Sequence, residues 1–309
     1  MVPDATFTSY YGRPVLKAPV WEADIPAYLF LGGLAAGSSM LGAGGDLTGR
    51  PALARAGRLA GLAGILASFG LLVHDLGRPE RFLNMLRVVK PTSPMSVGTW
   101  ILTAYGPLAG VAAGGHLLPA PLQRSGLGRL VTSLGRPAGL GAAAVAPAVA
   151  SYTAVLVADT AVPTWHEAWP ELPFVFVGSA AAASGGLAMV TLPTAQAGPA
   201  RRTAVLGALL DLAVSVRMER RMGLVGEPLS TGRAGTLLRT AQVLTAGGAV
   251  VAAALGRRSR AASALAGAAL VAGSACTRFG IFAAGIASAQ DPKYTVVPQR
   301  ERLDRNAPG

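Results

Sequence analysis

The chain is poor in charge and in the side chains that hold metals. Asp, Glu, Lys and Arg make up 14% of its 309 residues, aromatic residues 6%, and there are three histidines and one cysteine. A single cysteine, Cys276, excludes a disulfide framework, a cysteine-ligated iron–sulfur cluster and a Cys-rich zinc site on this chain, so no metal site is expected. A bis-histidine haem is disfavoured too. His74 and His116 end apolar stretches of opposite direction, and His166 falls in a loop, so no two imidazoles face each other at one depth. What fills the chain instead is apolar: 51% hydrophobic residues and a mean hydropathy of +0.46.

Eight apolar stretches, near 26–47, 57–75, 97–118, 137–158, 172–192, 202–216, 234–255 and 262–287, account for most of the length. Most approach or exceed the roughly 20 residues that an α-helix needs to cross the hydrocarbon core. They are continuously apolar rather than alternating, which excludes a β-barrel. The pattern predicts an all-α integral membrane protein of eight transmembrane helices in two four-helix bundles, 26–158 and 159–287, with both termini on one face. An N-terminal segment, 1–25, and a tail, 288–309, flank the bundles. The first segment carries Asp4, Arg13, Lys17, Glu22 and Asp24 and no apolar core, so it does not read as a cleavable signal.

The net charge of +12 sits mainly in loops between stretches, where membrane topology accounts for it without nucleic acid. The face holding both termini, the N-face, also holds loops near 76–96, 159–171 and 217–233. It carries 14 of the 27 cations and 13 of the 15 acids; the opposite face has 11 cations and, of acids, Asp46. The higher Arg density of the short opposite-face loops leans towards an N-face outside the cytoplasm. In the 76–96 loop, Phe82, Met85, Leu86 and Val89 recur at helical spacing, which predicts an amphipathic helix lying along the interface.

Polar chemistry gathers at the helix ends of the N-face. The first stretch opens with Glu22, Asp24 and Tyr28; the second closes with His74, Asp75 and Arg78; the third opens near Trp100; the fourth contributes Tyr152. A quinone headgroup suits such a mixture, because its carbonyls need donors, its redox change moves protons, and its tail needs apolar and aromatic walls. Asp24, His74 and Asp75 are candidates for the proton-carrying groups, and Tyr28, Arg78, Trp100 and Tyr152 for the binding wall. Two charges lie deep within stretches, Asp211 midway along the sixth and Arg278 somewhat past midway along the eighth, at comparable depth. Charge in hydrocarbon is costly, so they are expected to pair or to line a polar cavity, as a structural lock or a proton path. A secondary transporter with a midplane site near Asp211 is the other reading; it calls for paired inverted halves, which the sequence does not display.

Tyr10-Tyr11-Gly12-Arg13-Pro14-Val15-Leu16-Lys17, then Trp21-Glu22-Ala23-Asp24-Ile25-Pro26-Ala27-Tyr28 and Gly32-Gly33, resemble the NrfD, polysulfide reductase membrane-subunit, family. His74-Asp75-Leu76-Gly77-Arg78-Pro79-Glu80-Arg81-Phe82, Ser93-Pro94-Met95-Ser96-Val97-Gly98-Thr99-Trp100 and the Pro163-Thr164-Trp165 turn are similar to it as well. The resemblance covers the first five stretches. It implies a quinone-reactive subunit of an oxidoreductase complex in the inner membrane, with no redox centre of its own. Its partners would be a ferredoxin-like four-cluster iron–sulfur subunit, docked on the N-face with help from residues 1–25, and through it a molybdopterin catalytic subunit. The implied menaquinone or ubiquinone pocket takes Asp24, Tyr28, His74, Asp75 and Tyr152, with Arg78 anchoring the loop or helping to orient the pocket. Some members carry Asn or His where this chain has Glu22 and Asp24.

Overall fold

The computed structural model describes residues 13–306. Tyr10, Tyr11 and Gly12 of the first motif lie outside the described residues. Eight long helices occupy the eight apolar stretches: α1 (Asp24–Leu47), α2 (Pro51–Asp75), α3 (Pro94–Leu117), α4 (Gly126–Ala158), α5 (Leu172–Thr191), α6 (Gly198–Met222), α7 (Gly232–Leu255) and α8 (Arg260–Gln290). The described residues contain no strand. Six of the helices, all but α3 and α6, are long and apolar enough to cross a membrane. Glycine, proline and hydroxyl residues dilute α3; Asp211, Glu219 and five arginines dilute α6.

The helix ends follow local chemistry. Pro51 and Pro94 sit at first helical positions, where the missing N–H costs nothing. Ser93, Ser125 and Ser259 cap α3, α4 and α8 by accepting from backbone N–H groups. Gly49, between α1 and α2, has φ 65°, and Gly77, just beyond α2, also has φ 65°, a conformation that side chains with Cβ resist. Several helices outrun their apolar cores. With 33 and 31 residues, α4 and α8 are roughly 50 and 46 Å long, against a hydrocarbon core of about 30 Å.

Each half of the chain closes a ring of helices. α1 packs on α2 and α4, and α3 bridges α2 to α4; α5 packs on α6 and α8, and α7 bridges α6 to α8. The halves meet where α1 and α4 lie against α5, and α1 against α8. Lipid gives helices no hydrophobic reason to associate, so close backbone approach carries the packing. Gly57 of α2 sits against the backbone of Gly42 and Ser38 in α1, and Gly207 of α6 against that of Gly178 and Ala182 in α5.

The 76–96 loop departs from expectation. It holds only a 3₁₀ turn, Pro79–Arg81, and a single helical turn, Phe82–Met85. Phe82 packs edge-on to Phe69 of α2 with centroids 6.1 Å apart, whereas Val88 and Val89 are exposed. The backbone beyond is claimed by the start of α3: Ser96 Oγ donates to the Val88 carbonyl at 3.1 Å and accepts from Lys90 N at 3.0 Å. Side-chain bonds of this kind compete with helix continuation.

The rest of the N-face is tied down firmly. Trp165, in the short helix Pro163–Glu167, is fully buried between Trp21 and Phe282 and donates to the Ile281 carbonyl at 2.8 Å. Buried Glu171 accepts from Arg221 Nε at 2.9 and 3.1 Å and lies 3.5 Å from Arg217. Hydrogen bonding to Glu171, and then to Glu167, holds the pKa of Arg221 above its ordinary value.

Candidate functional site

α1 starts and α2 ends on the N-face, so Asp24 and His74 meet there across 50 residues of sequence. His74 Nδ1 lies 2.6 Å from Asp24 Oδ2. The imidazole is 80% exposed and the Asp24 side chain 26%, so the pair stands at the water boundary. Asp75 sits beside the Glu22 backbone and near Asp24. Three carboxylates, Glu22, Asp24 and Asp75, thus surround one imidazole at the mouth of the first ring.

One helical turn deeper, about 6 Å along α1, Tyr28 projects into the ring. Its hydroxyl is hydrogen-bonded to that of Tyr152 from α4, and both residues are buried. The Tyr28 carbonyl accepts from Ser68 Oγ at 3.1 Å, linking α2 to the same point. A further layer, invisible in the sequence, lies below. Tyr105 of α3 is fully buried, donates to the Ala35 carbonyl at 2.8 Å and meets Ser39 Oγ at 2.7 Å. Two hydroxyl layers and a surface ion pair therefore line one descending column.

An open groove of about 370 Å³ reaches this column from the side of α3 and α4. Pro94, Val97 and Ile101 form one wall, Ala148 and Val155 the other; Tyr152 lies at the wall and Asp159 lines it as well. Gly98 of α3 shapes that wall, because a Cβ there would enter the Tyr152 ring. Tyr152 is held by Tyr28 and has little freedom to yield. Gly98→Ala is expected to cost about 1–3 kcal/mol by overpacking and to lower the unfolding midpoint of the detergent-purified chain by several degrees. Gly106→Ala, whose Cβ meets only the edge of Phe69 at 3.4 Å, is the near-neutral control.

The structure gathers Asp24, His74, Asp75, Tyr28 and Tyr152, and leaves the other two first-ring candidates aside. Trp100 is 37% exposed and donates through Nε1 to the Val88 carbonyl at 3.3 Å, fastening the 76–96 loop rather than facing the tyrosines. Arg78 is exposed in the turn after Gly77. Asp211 and Arg278 are both buried, yet they form no ion pair within 4 Å among the described residues. Arg278 donates to the Phe176 carbonyl at 2.7 Å and places its guanidinium 3.7 Å over the Phe176 ring; Asp211 accepts from Ser215 at 3.4 Å. Asp211 lines a cavity of about 20 Å³ together with Ser215, Glu219, Gln242, Thr245 and Thr277. Asp211 alone of the two charges lines this cavity, and no direct pair joins it to Arg278 among the described residues.

The polysulphide reductase family NrfD matches the chain over residues 14–255, from the segment before α1 to the last residue of α7. The match thus takes in α6 and α7, beyond the five stretches whose motifs carry the resemblance. No curated protein matches the chain.

Proposed function

The chain belongs to the NrfD, polysulphide reductase, family, which makes it a membrane subunit of a respiratory oxidoreductase complex, and from that premise we propose that it exchanges electrons between a partner iron–sulfur subunit and the membrane quinone pool. The observation that carries the reading is the buried Tyr28–Tyr152 hydroxyl pair beneath the Asp24–His74 pair, with Tyr152 at the wall of the α3–α4 groove. The residues fit a quinone: the groove is walled mainly by apolar side chains, has Tyr152 in its wall and opens beside Asp159.

A bound menaquinone or ubiquinone supplies two-electron, two-proton chemistry. The Tyr152 hydroxyl donates a hydrogen bond into the groove, and Tyr28 fixes its orientation. His74 and Asp24 hold a proton between Nδ1 and Oδ2 at the water boundary one turn above, with Asp75 beside them. Burial of both tyrosines excludes bulk water from the inner end of the column. No redox group is assigned to this chain; the ferredoxin-like four-cluster subunit would dock on the N-face and connect to a molybdopterin catalytic subunit.

The same proposal makes all eight helices spans of two four-helix bundles in the inner membrane, with the N-face outside the cytoplasm. The ring-like packing of each half and the lateral contacts of α3 and α6 support the eight-span part of it. The transporter reading gains nothing from Asp211, whose cavity of about 20 Å³ has room for one water. The test is purification of the tagged chain in mild detergent with assay of partners, iron and quinone. Co-elution of an iron–sulfur protein with iron and quinone is the expected result. Recovery of the intact complex without quinone, and without quinone-linked turnover, would reject the assignment.

A further inference from the structure

A second large cavity opens on the opposite face, away from the tyrosine column. It measures about 440 Å³ and lies between α1, α4, α5 and α6. Its mouth is formed by Thr48, Arg50, Arg202 and Thr203, and its walls descend past Gly44 to Gly37 and Val177. From position 48 to position 37 of α1 is roughly 16 Å along the helix axis, about half of a 30 Å hydrocarbon core. The cavity is thus one leaflet deep, cationic at the headgroup level and apolar below.

The charge at the mouth is uncompensated. Neither Arg50 nor Arg202 forms an ion pair among the described residues. The only acid of this face, Asp46, is engaged by Arg58 at 2.6 Å. Two free guanidiniums above an apolar slot of leaflet depth match a single amphiphile with an anionic head. Guanidinium and phosphate are complementary in charge and in fork geometry.

We propose that this cavity binds an anionic phospholipid, its phosphate on Arg50 and Arg202 and one acyl chain along α1 between α4 and α5. The lipid fills the seam where the two helical rings meet and so couples them. Gly44 provides a clean probe of the acyl slot, because a Cβ there meets nothing within 4 Å and a longer side chain would extend into the cavity without displacing protein.

The experiment uses the full chain in detergent, or its complex if one co-purifies. Thermal unfolding is followed while phosphatidylglycerol, phosphatidylcholine or inorganic phosphate is added, and retained lipid is counted by native mass spectrometry. Phosphatidylglycerol is expected to raise the midpoint and to be retained on the order of tenfold more strongly than phosphatidylcholine, from about one favourable contact per arginine. The Arg50→Gln/Arg202→Gln chain should lose that preference while keeping its lipid-free midpoint. Gly44→Leu should lose retained lipid of both kinds. Equal response to the two lipids, an undiminished preference in the double variant, or equal stabilisation by inorganic phosphate would overturn the proposal. Because the tyrosine column is untouched, this outcome is independent of quinone-linked turnover.

Discussion

Arg278→Ala is expected to prevent recovery of a folded chain after solubilisation. The guanidinium is 1% exposed and sits where α8 meets α5 and α1. It donates to the Phe176 carbonyl, covers the Phe176 ring and lies against Gly33, where a Cβ would come within 3.5 Å of Nη2. Truncation would leave a void at the seam between the two rings and remove the cation that offsets buried Asp211. Removing one member of a buried charge pair costs on the order of 3–5 kcal/mol, a large part of a typical folding free energy of 5–15 kcal/mol. Since the two charges do not touch, the lower end of that range applies. Asp211→Asn in the Arg278→Ala background should restore part of the loss, with a coupling of about 1 kcal/mol. Arg278→Lys should fall between, keeping the charge but not the planar fork over Phe176. The readout is monodisperse yield and unfolding midpoint in detergent. A double variant no better than Arg278→Ala alone would show that Asp211 is not the balancing charge and that packing against Phe176 and Gly33 carries the effect.

His74→Ala and Asp75→Asn are expected to remove quinone-linked turnover by at least about 10²-fold, the usual size of a general acid–base contribution, while the chain still co-purifies with its partners. The geometry gives the reason. His74 is 80% exposed and makes its bond to Asp24 at the surface, so its loss opens no core cavity. Tyr152→Phe should act differently. It removes the hydroxyl that bonds Tyr28 from a residue that lines the groove, so turnover should fall together with quinone retention. Turnover with an artificial electron acceptor that bypasses the membrane subunit should be unchanged in all three. Loss of co-purification in His74→Ala or Asp75→Asn would make those residues docking elements instead, and retention of full turnover would remove the pair from the proton path.

Much of the candidate site was legible from sequence because depth is countable. A helix entering at Asp24 and one leaving at Asp75 must place both residues at the same face, where the structure brings Asp24 to His74. Azimuth is not countable in the same way. Tyr28 and Tyr152 stand 124 positions apart and meet only because α4 closes the ring against α1 with those faces inward. Trp100 shares their N-face end yet turns outward to Val88. Arg278 and Asp211 share a depth as well, but Arg278 rotates towards Phe176 and the first ring. The amphipathic period at 82–89 misled for another reason. Pro79 and Pro91 bound the segment, and Ser96 and Trp100 take up the Val88 carbonyl, so tertiary bonds outweighed a weak local preference.

The sequence by itself determined that this is a helical membrane chain, where its eight long helices lie, and which polar residues reach the N-face. Those properties are one-dimensional: apolar run length against bilayer thickness, and charge position between runs. Only the tertiary structure decided which polar groups meet, that Tyr105 and Ser39 extend the tyrosine column, that Gly98 sets its wall, and that Arg50 and Arg202 share a cavity. Each of these depends on the rotation of a helix about its axis and on the closeness of its neighbours. In lipid those are fixed by small-residue crossings such as Gly42–Gly57 and Gly178–Gly207, whose partners lie on another helix.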